Sequence, residues 1–136
     1  MQTDPYKKPK EEIMKDVKFA IACSAGGAYT ETSKAVNGKL YAIEVVIGTL
    51  TNGAADITVS VTNTPSGVDK TLLTLTNITA SALYYVRDLL HGETGTALTG
   101  SSGGDRCQPL LAGNLKCVVA DGGVSTSGSV IVYYEE

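Results

Sequence analysis

The chain has 136 residues, 43% of them hydrophobic and 18% charged, with 15 Gly, 7 Tyr, one Phe and no Trp, a length that suits one domain and excludes a two-domain enzyme with separate cores. At this size folding buries roughly 65–70% of the surface that the unfolded chain exposes, so one apolar core can hold the fold without a metal or disulfide staple. A net charge of −3 lacks the excess of cations that grips nucleic acid phosphates, and nucleic acid is not expected as a partner.

The first 18 residues carry five lysines and four acids, whereas the other 118 carry six basic and ten acidic residues. Residues 1–17 are therefore read as an extended N-terminal arm, separate from a single domain over 18–136. Pro5, Pro9 and interspersed charges deny the arm a core of its own, leaving it either a frayed end or a segment that orders on a neighbouring subunit. Ile13, Met14 and Val17 have the spacing of one short amphipathic helical turn, too short to stand alone.

From Lys18 the pattern changes to short β-prone runs. Phe19, Ile21 and Cys23 alternate with Lys18, Ala20 and Ala22, and Gly26-Gly27 ends the run. A second strand over 29–36 leads to Asn37-Gly38, a dipeptide suited to a two-residue type I′ hairpin because both positions tolerate positive φ. The return strand, 40–50, places Tyr41, Ile43, Val45 and Ile47 on one face and Ala42, Glu44 and Val46 on the other, and Asn52-Gly53 closes it. Ile57, Val59 and Val61 then alternate with Thr58, Ser60 and Thr62, an apolar face backed by a hydroxyl-rich wet one. After the Pro65-Ser66-Gly67 turn, Leu73 and Leu75 alternate with Thr74 and Thr76. A candidate strand over 84–90 precedes a glycine-rich long loop, 94–105. The last two strands, 115–120 and 129–134, flank Asp121-Gly122-Gly123.

About eight short strands at roughly 8–12-residue spacing predict an all-β fold: an antiparallel two-sheet β-sandwich, jelly-roll-like, with an extended N-terminal arm. Its expected core includes Ile43, Val45, Ile57, Val59, Leu73, Leu75, Val118 and Val132.

Chemistry-bearing residues are sparse. Cys23, Cys107 and Cys117 form an odd set without a CxxC, and His91 is the one histidine, so neither a zinc site nor any other cofactor is expected. A Cys107–Cys117 bridge across a hairpin needs a turn centred on Ala112, whereas Gly113-Asn114 is the better turn and sets another register. Unpaired cysteines of this kind are small buried hydrophobes of a reducing compartment, in keeping with assembly in the cytoplasm. His91 has no GxSxG serine to serve and is read as a hydrogen-bonding residue at a strand end, and the chain as a non-enzyme. The acids Glu44, Asp56, Asp69, Asp88, Glu93, Asp105 and Asp121 stand singly, mostly at turns, where carboxylates cap backbone amides. Gly100-Ser101-Ser102-Gly103-Gly104 lacks the lysine and helix start of a phosphate loop. Asn77-Ile78-Thr79 is a formal glycosylation sequon. Ala20-Ile21-Ala22-Cys23 resembles a lipoprotein cleavage box, but Asp4, Glu11, Glu12 and Asp16 precede it and it reads as a strand. The best apolar run, 40–50, falls short of the roughly 20 residues of a spanning helix, so no membrane partner is expected. The pairs Tyr84-Tyr85 and Tyr133-Tyr134 each put one ring on either sheet face, one for the core and one for a partner.

Tyr84-Tyr85-Val86-Arg87, His91, Gly95-Thr96-Ala97-Leu98, the strand 115–120 with Asp121-Gly122-Gly123, and Lys39-Leu40-Tyr41-Ala42-Ile43 after Asn37-Gly38 together resemble a family of small virion proteins of tailed bacteriophages, the capsid cement or decoration proteins. The resemblance spans about residues 17–134. It implies a jelly-roll-like sandwich in many copies on the capsid exterior of the virion, with the major capsid protein and further copies of itself, as dimer or trimer, as partners. It brings no catalytic residues. Lys7, Lys8 and Lys10 of the arm and Tyr84, Tyr85 and Arg87 are the candidate partner-binding residues. The alternative readings are a phage tail or neck protein, and a sandwich module that binds carbohydrate or another host-surface ligand.

Overall fold

Apolar residues recurring at every second position favour half-buried strands, most plainly Ile57, Val59 and Val61 alternating with Thr58, Ser60 and Thr62, and all the strand pairings are antiparallel. The computed structural model describes residues 14–51, 53–89 and 106–136. Among them are nine strands and no helix: β1 (Met14–Ala22), β2 (Tyr29–Val46), β3 (Asp56–Thr62), β4 (Lys70–Leu75), β5 (Ala82–Tyr84), β6 (Asp88–Leu89), β7 (Arg106–Cys107), β8 (Leu110–Ala120) and β9 (Ser127–Glu135). Seven of them form one hydrogen-bonded network in the order β1-β9-β2-β8-β3-β4, with β5 also on β2, while β6 and β7 pair separately.

The 18-residue β2 turns this network into two layers. Residues 29–39 pair with β8, and residues 39–46 pair with β9, with β5 on the other side at Ile43, Glu44 and Val45. One layer is thus β4-β3-β8 with the first half of β2, and the other is β1-β9 with the second half of β2 and β5. Phe19, Ile43 and Val130 of the second layer share one buried cluster with Ile57, Leu111, Leu115 and Val119 of the first. This is the expected antiparallel sandwich, with a corner made by a strand that changes sheets. Each such side chain moved from water into the core contributes roughly 1.5–3 kcal/mol.

That corner corrects the hairpin expected at Asn37-Gly38. The strand runs straight through, Asn37 opposite Ala112 and Gly38 opposite Leu111. Glycine is needed for close approach: a Cβ at Gly38 would overlap the Glu135 carbonyl oxygen and come within 3.0 Å of its carbonyl carbon. The turn expected at Gly113-Asn114 is absent for the same reason. Both lie inside β8, and a Cβ at Gly113 would overlap the Thr62 carbonyl oxygen.

Of three register shifts among the described residues, one lies in β2 against β8 between Thr32 and Ala35, and the other two reset the inward phase of expected core positions. The β2–β9 register shifts between Leu40 and Ala42, so Leu40 and Ile43 both point inward and Tyr41, expected beside Ile43, faces out. A shift between Val59 and Ser60 against β4 accommodates Leu72, which is buried, while Leu73 and Leu75 pack on the core from half-buried positions. In β8 the buried residues are Leu111, Leu115, Cys117 and Val119, so Val118 is not core. It lies between Thr30 and Thr58 on the outer face. Ile43, Val45, Ile57, Val59 and Val132 are buried as expected.

β1 begins at Met14, inside the stretch read as the arm, and strand replaces the expected helical turn at Met14 and Val17. Val17, Phe19 and Ile21 share the inward phase, and period two wins over a single helical turn. The strand expected over 84–90 divides into β5 and β6. Asp56 caps a turn as anticipated, accepting a hydrogen bond from the Asn77 backbone N–H at 2.8 Å. All three cysteines are free thiols. Lys7, Lys8, Lys10, His91 and the loop 94–105 lie outside the described residues.

Candidate functional site

The strand switch also builds a surface. Lys39 is the residue at which β2 changes partners, opposite Leu110 on one side and Glu135 on the other. The bulge two residues later turns Tyr41 outward. β5 places Leu83 opposite Glu44 on the same outer face, and β9 brings Tyr133 opposite both Ala42 and Asp16. Met14 opens β1 nearby. Met14, Tyr41, Leu83 and Tyr85 are 46%, 37%, 44% and 56% exposed, a concentration of large apolar side chains in water.

Fixed contacts order the cluster. The Tyr41 and Tyr85 rings meet edge to face, with centroids 5.8 Å apart and planes at 86°. The Arg87 guanidinium carbon lies 5.9 Å from the Tyr85 ring centroid. Arg87 Nη1 donates to the carbonyl oxygens of Tyr41 at 2.9 Å and Val86 at 2.7 Å, which ties the segment after β5 to the bulge. Tyr133 Oη donates to Glu44 Oε1 at 3.2 Å, and its phenol is pushed up first by desolvation and then by the Glu44 carboxylate.

Tyr41 is a wall between two hollows. On one side is a largely apolar hollow of about 230 Å³ lined by Met14, Tyr41, Ala42, Glu44, Leu83 and Tyr133. On the other is a polar hollow of about 570 Å³ lined by Lys39, Arg87, Arg106, Gln108 and Glu135. The β6–β7 pairing explains why Arg87 and Arg106 meet there: Asp88 faces Cys107 and Leu89 faces Arg106. Gln108 Nε2 is held by the Leu40 carbonyl at 3.1 Å. Three of the six basic residues after Lys18 line this hollow, in a region of the chain that is acidic as a whole. Elsewhere Lys70 pairs with Asp88, and Lys15 with Glu136, which raises the Lys15 ammonium pKa through their hydrogen bond.

Of the residues singled out from the sequence, Tyr85 and Arg87 are brought together on this surface, while Tyr84 turns inward opposite Ile43 and packs against the core. Tyr134 is likewise buried, with Tyr133 on the outer side. Tyr41, Leu83, Met14, Lys39 and Arg106 were not anticipated. The scarcity of cations after Lys18 is the one sequence signal that points to Lys39 and Arg106. The outward turn of Tyr41 depends on a bulge that alternation does not reveal.

No family model matches the chain, and no curated protein does. Among solved structures, a chain of infectious bursal disease virus, Gx strain, aligns at 15% identity and a TM-score of 0.29, over 98% of this chain and 41% of its own length. The present chain thus spans about two fifths of that one. A likeness so slight carries neither fold nor function, and the fold assignment rests on the strand registers above.

Proposed function

We propose that the chain is a non-enzymatic virion structural protein, a cement or decoration protein that binds the outside of a tailed-phage capsid and stabilises contacts between major capsid proteins. The observation that carries this reading is the outer-face cluster of Tyr41, Leu83, Tyr85 and Arg87, mounted on the second layer of a sandwich with a continuous core. Aromatic and arginine side chains held in place before contact are what protein–protein hot spots are made of, because little side-chain entropy remains to be lost on docking. The resemblance to cement proteins in the segment around Tyr84-Tyr85-Val86-Arg87 supports the same face. Lys7, Lys8 and Lys10 extend the contact to a neighbouring subunit in this reading.

The test is to add the purified chain to undecorated shells and measure occupancy and shell melting temperature. Saturable binding with a raised melting temperature supports the proposal, and shells that neither bind the chain nor gain stability refute it. The exposed Tyr85 ring also suits stacking on a sugar, which favours the carbohydrate-binding alternative, although Arg87 covers part of that ring. Specific retention on a glycan array would move the assignment to that class.

A further inference from the structure

We infer that the edge of β1 facing away from β9 pairs with β1 of a second copy of this chain, antiparallel and about a two-fold axis at Val17. Among the described residues β1 hydrogen-bonds to β9 alone, so its other edge presents the row of backbone donors and acceptors that a further strand satisfies. The remaining outer edges of the two layers suit this less. The first half of β2 is interrupted between Thr32 and Ala35, β4 carries the bulge at Leu72, and β5 has only three residues. In contrast, β1 runs nine residues against β9 without a shift in register.

Charge complementarity selects both the partner and the register. Asp16 and Lys18 are exposed on the outer face of β1, and among the described residues neither is in an ion pair. Charges on an edge turn away most strands, but a strand with the same two charges in reverse order matches them. With the axis at Val17, Asp16 of each copy stands directly opposite Lys18 of the other, and Met14 opposite Ala20. An axis at Asp16 or at Lys18 sets like charges against each other, one at Phe19 sets both charges against alanines, and one at Lys15 sets Asp16 against Met14, so Val17 is the centre that the charges favour. On the inward phase Val17 meets its own copy, and Lys15, whose ammonium is paired with Glu136, lies across from Phe19. Glu44, two strands in from Lys18 along the same row, is held by Tyr133 Oη. A two-fold axis perpendicular to the sheet leaves the outer faces of both copies on one side, so the Tyr41 and Leu83 cluster is presented twice to a single surface. The inference stands on the strand edge, and the capsid reading enters only in what that doubled face binds.

The experiment is sedimentation equilibrium of the full chain at low salt, over a concentration series reaching the millimolar range. A reversible dimer is expected. Asp16→Lys and Lys18→Asp, both at exposed positions, should each weaken it roughly tenfold or more, because each sets two like-charge pairs across the axis. An equimolar mixture of these two variants should recover the association as a heterodimer, which chains that fail to fold cannot do. The two substitutions combined in one chain should restore the homodimer. A monomer or a trimer throughout the series, a dimer indifferent to both charge reversals, or a mixture that does not associate would overturn the inference. A dimer that leaves shells bare overturns the capsid reading alone, whereas a monomer that decorates shells overturns this inference alone.

Discussion

Replacing Gly38 by alanine tests the sheet-switching corner. The added methyl meets backbone, the Glu135 carbonyl oxygen and carbon and the Glu136 Cα, none of which a rotamer change can move. The end of β9 must shift, and overpacking of this kind costs about 1–3 kcal/mol. Loss of a ladder hydrogen bond at the displaced end adds about 1 kcal/mol, for a total of about 2–4 kcal/mol. With an unfolding entropy of about 2.1 cal/mol/K per residue, a chain of this length loses roughly 7–14 °C in melting temperature. Calorimetry on the variant measures it. Asn37→Thr supplies the contrast, because Asn37 is exposed in an extended strand opposite Ala112, and threonine there should change stability by less than about 0.5 kcal/mol. A type I′ turn would make both variants costly, since it holds both central residues at positive φ, where threonine is strained as well as alanine. A Gly38→Ala variant within about 2 °C of the parent, or an Asn37→Thr variant losing more than about 1 kcal/mol, would refute the corner.

Truncating Phe19 to alanine should cost about 3–5 kcal/mol in urea unfolding, since the ring is buried between the layers. Val119→Thr should cost at least 1 kcal/mol more than Val118→Thr, because the first side chain is buried and the second lies in a row with Thr30 and Thr58, a difference readable from paired denaturation curves. Burial, followed by the nearby Glu31 charge, pushes the Cys117 thiol from 9.0 up to about 12. The unfolded state then releases this proton first, so the associated stability is intact below about pH 9 and is lost as pH rises toward 12. Replacement of Cys117 by alanine should flatten that part of the stability–pH curve. Leu83→Ser should leave the melting temperature nearly unchanged, because Leu83 belongs to the outer surface and not to the core.

Strand existence was legible because inward residues repeat with period two: Ile57, Val59 and Val61 in β3, and Val130, Val132 and Tyr134 in β9, are buried in phase. Where a dipeptide has two physical uses, sequence alone chose the wrong one. Asn37-Gly38 and Gly113-Asn114 have turn chemistry, but their glycines are there because another strand's backbone passes too close for a Cβ. Bulges erase phase in the same way, which is why Tyr41 faces out against expectation and the buried Leu72 has no signal in the alternation, while their neighbours Ile43 and Leu73 read as apolar positions facing the core. The candidate site was half legible. Tyr85 and Arg87 lie together in sequence, but Lys39, Leu83 and Arg106 join them only through the β2 switch and the β5 and β7 pairings.

The most direct test of the capsid assignment is a reconstruction of undecorated phage shells after incubation with the full chain, at a resolution that places side chains. Ordered copies are expected on the outer surface, with Tyr41, Leu83 and Tyr85 against the major capsid protein. Bare shells, or bound copies with this face turned to solvent, would contradict it.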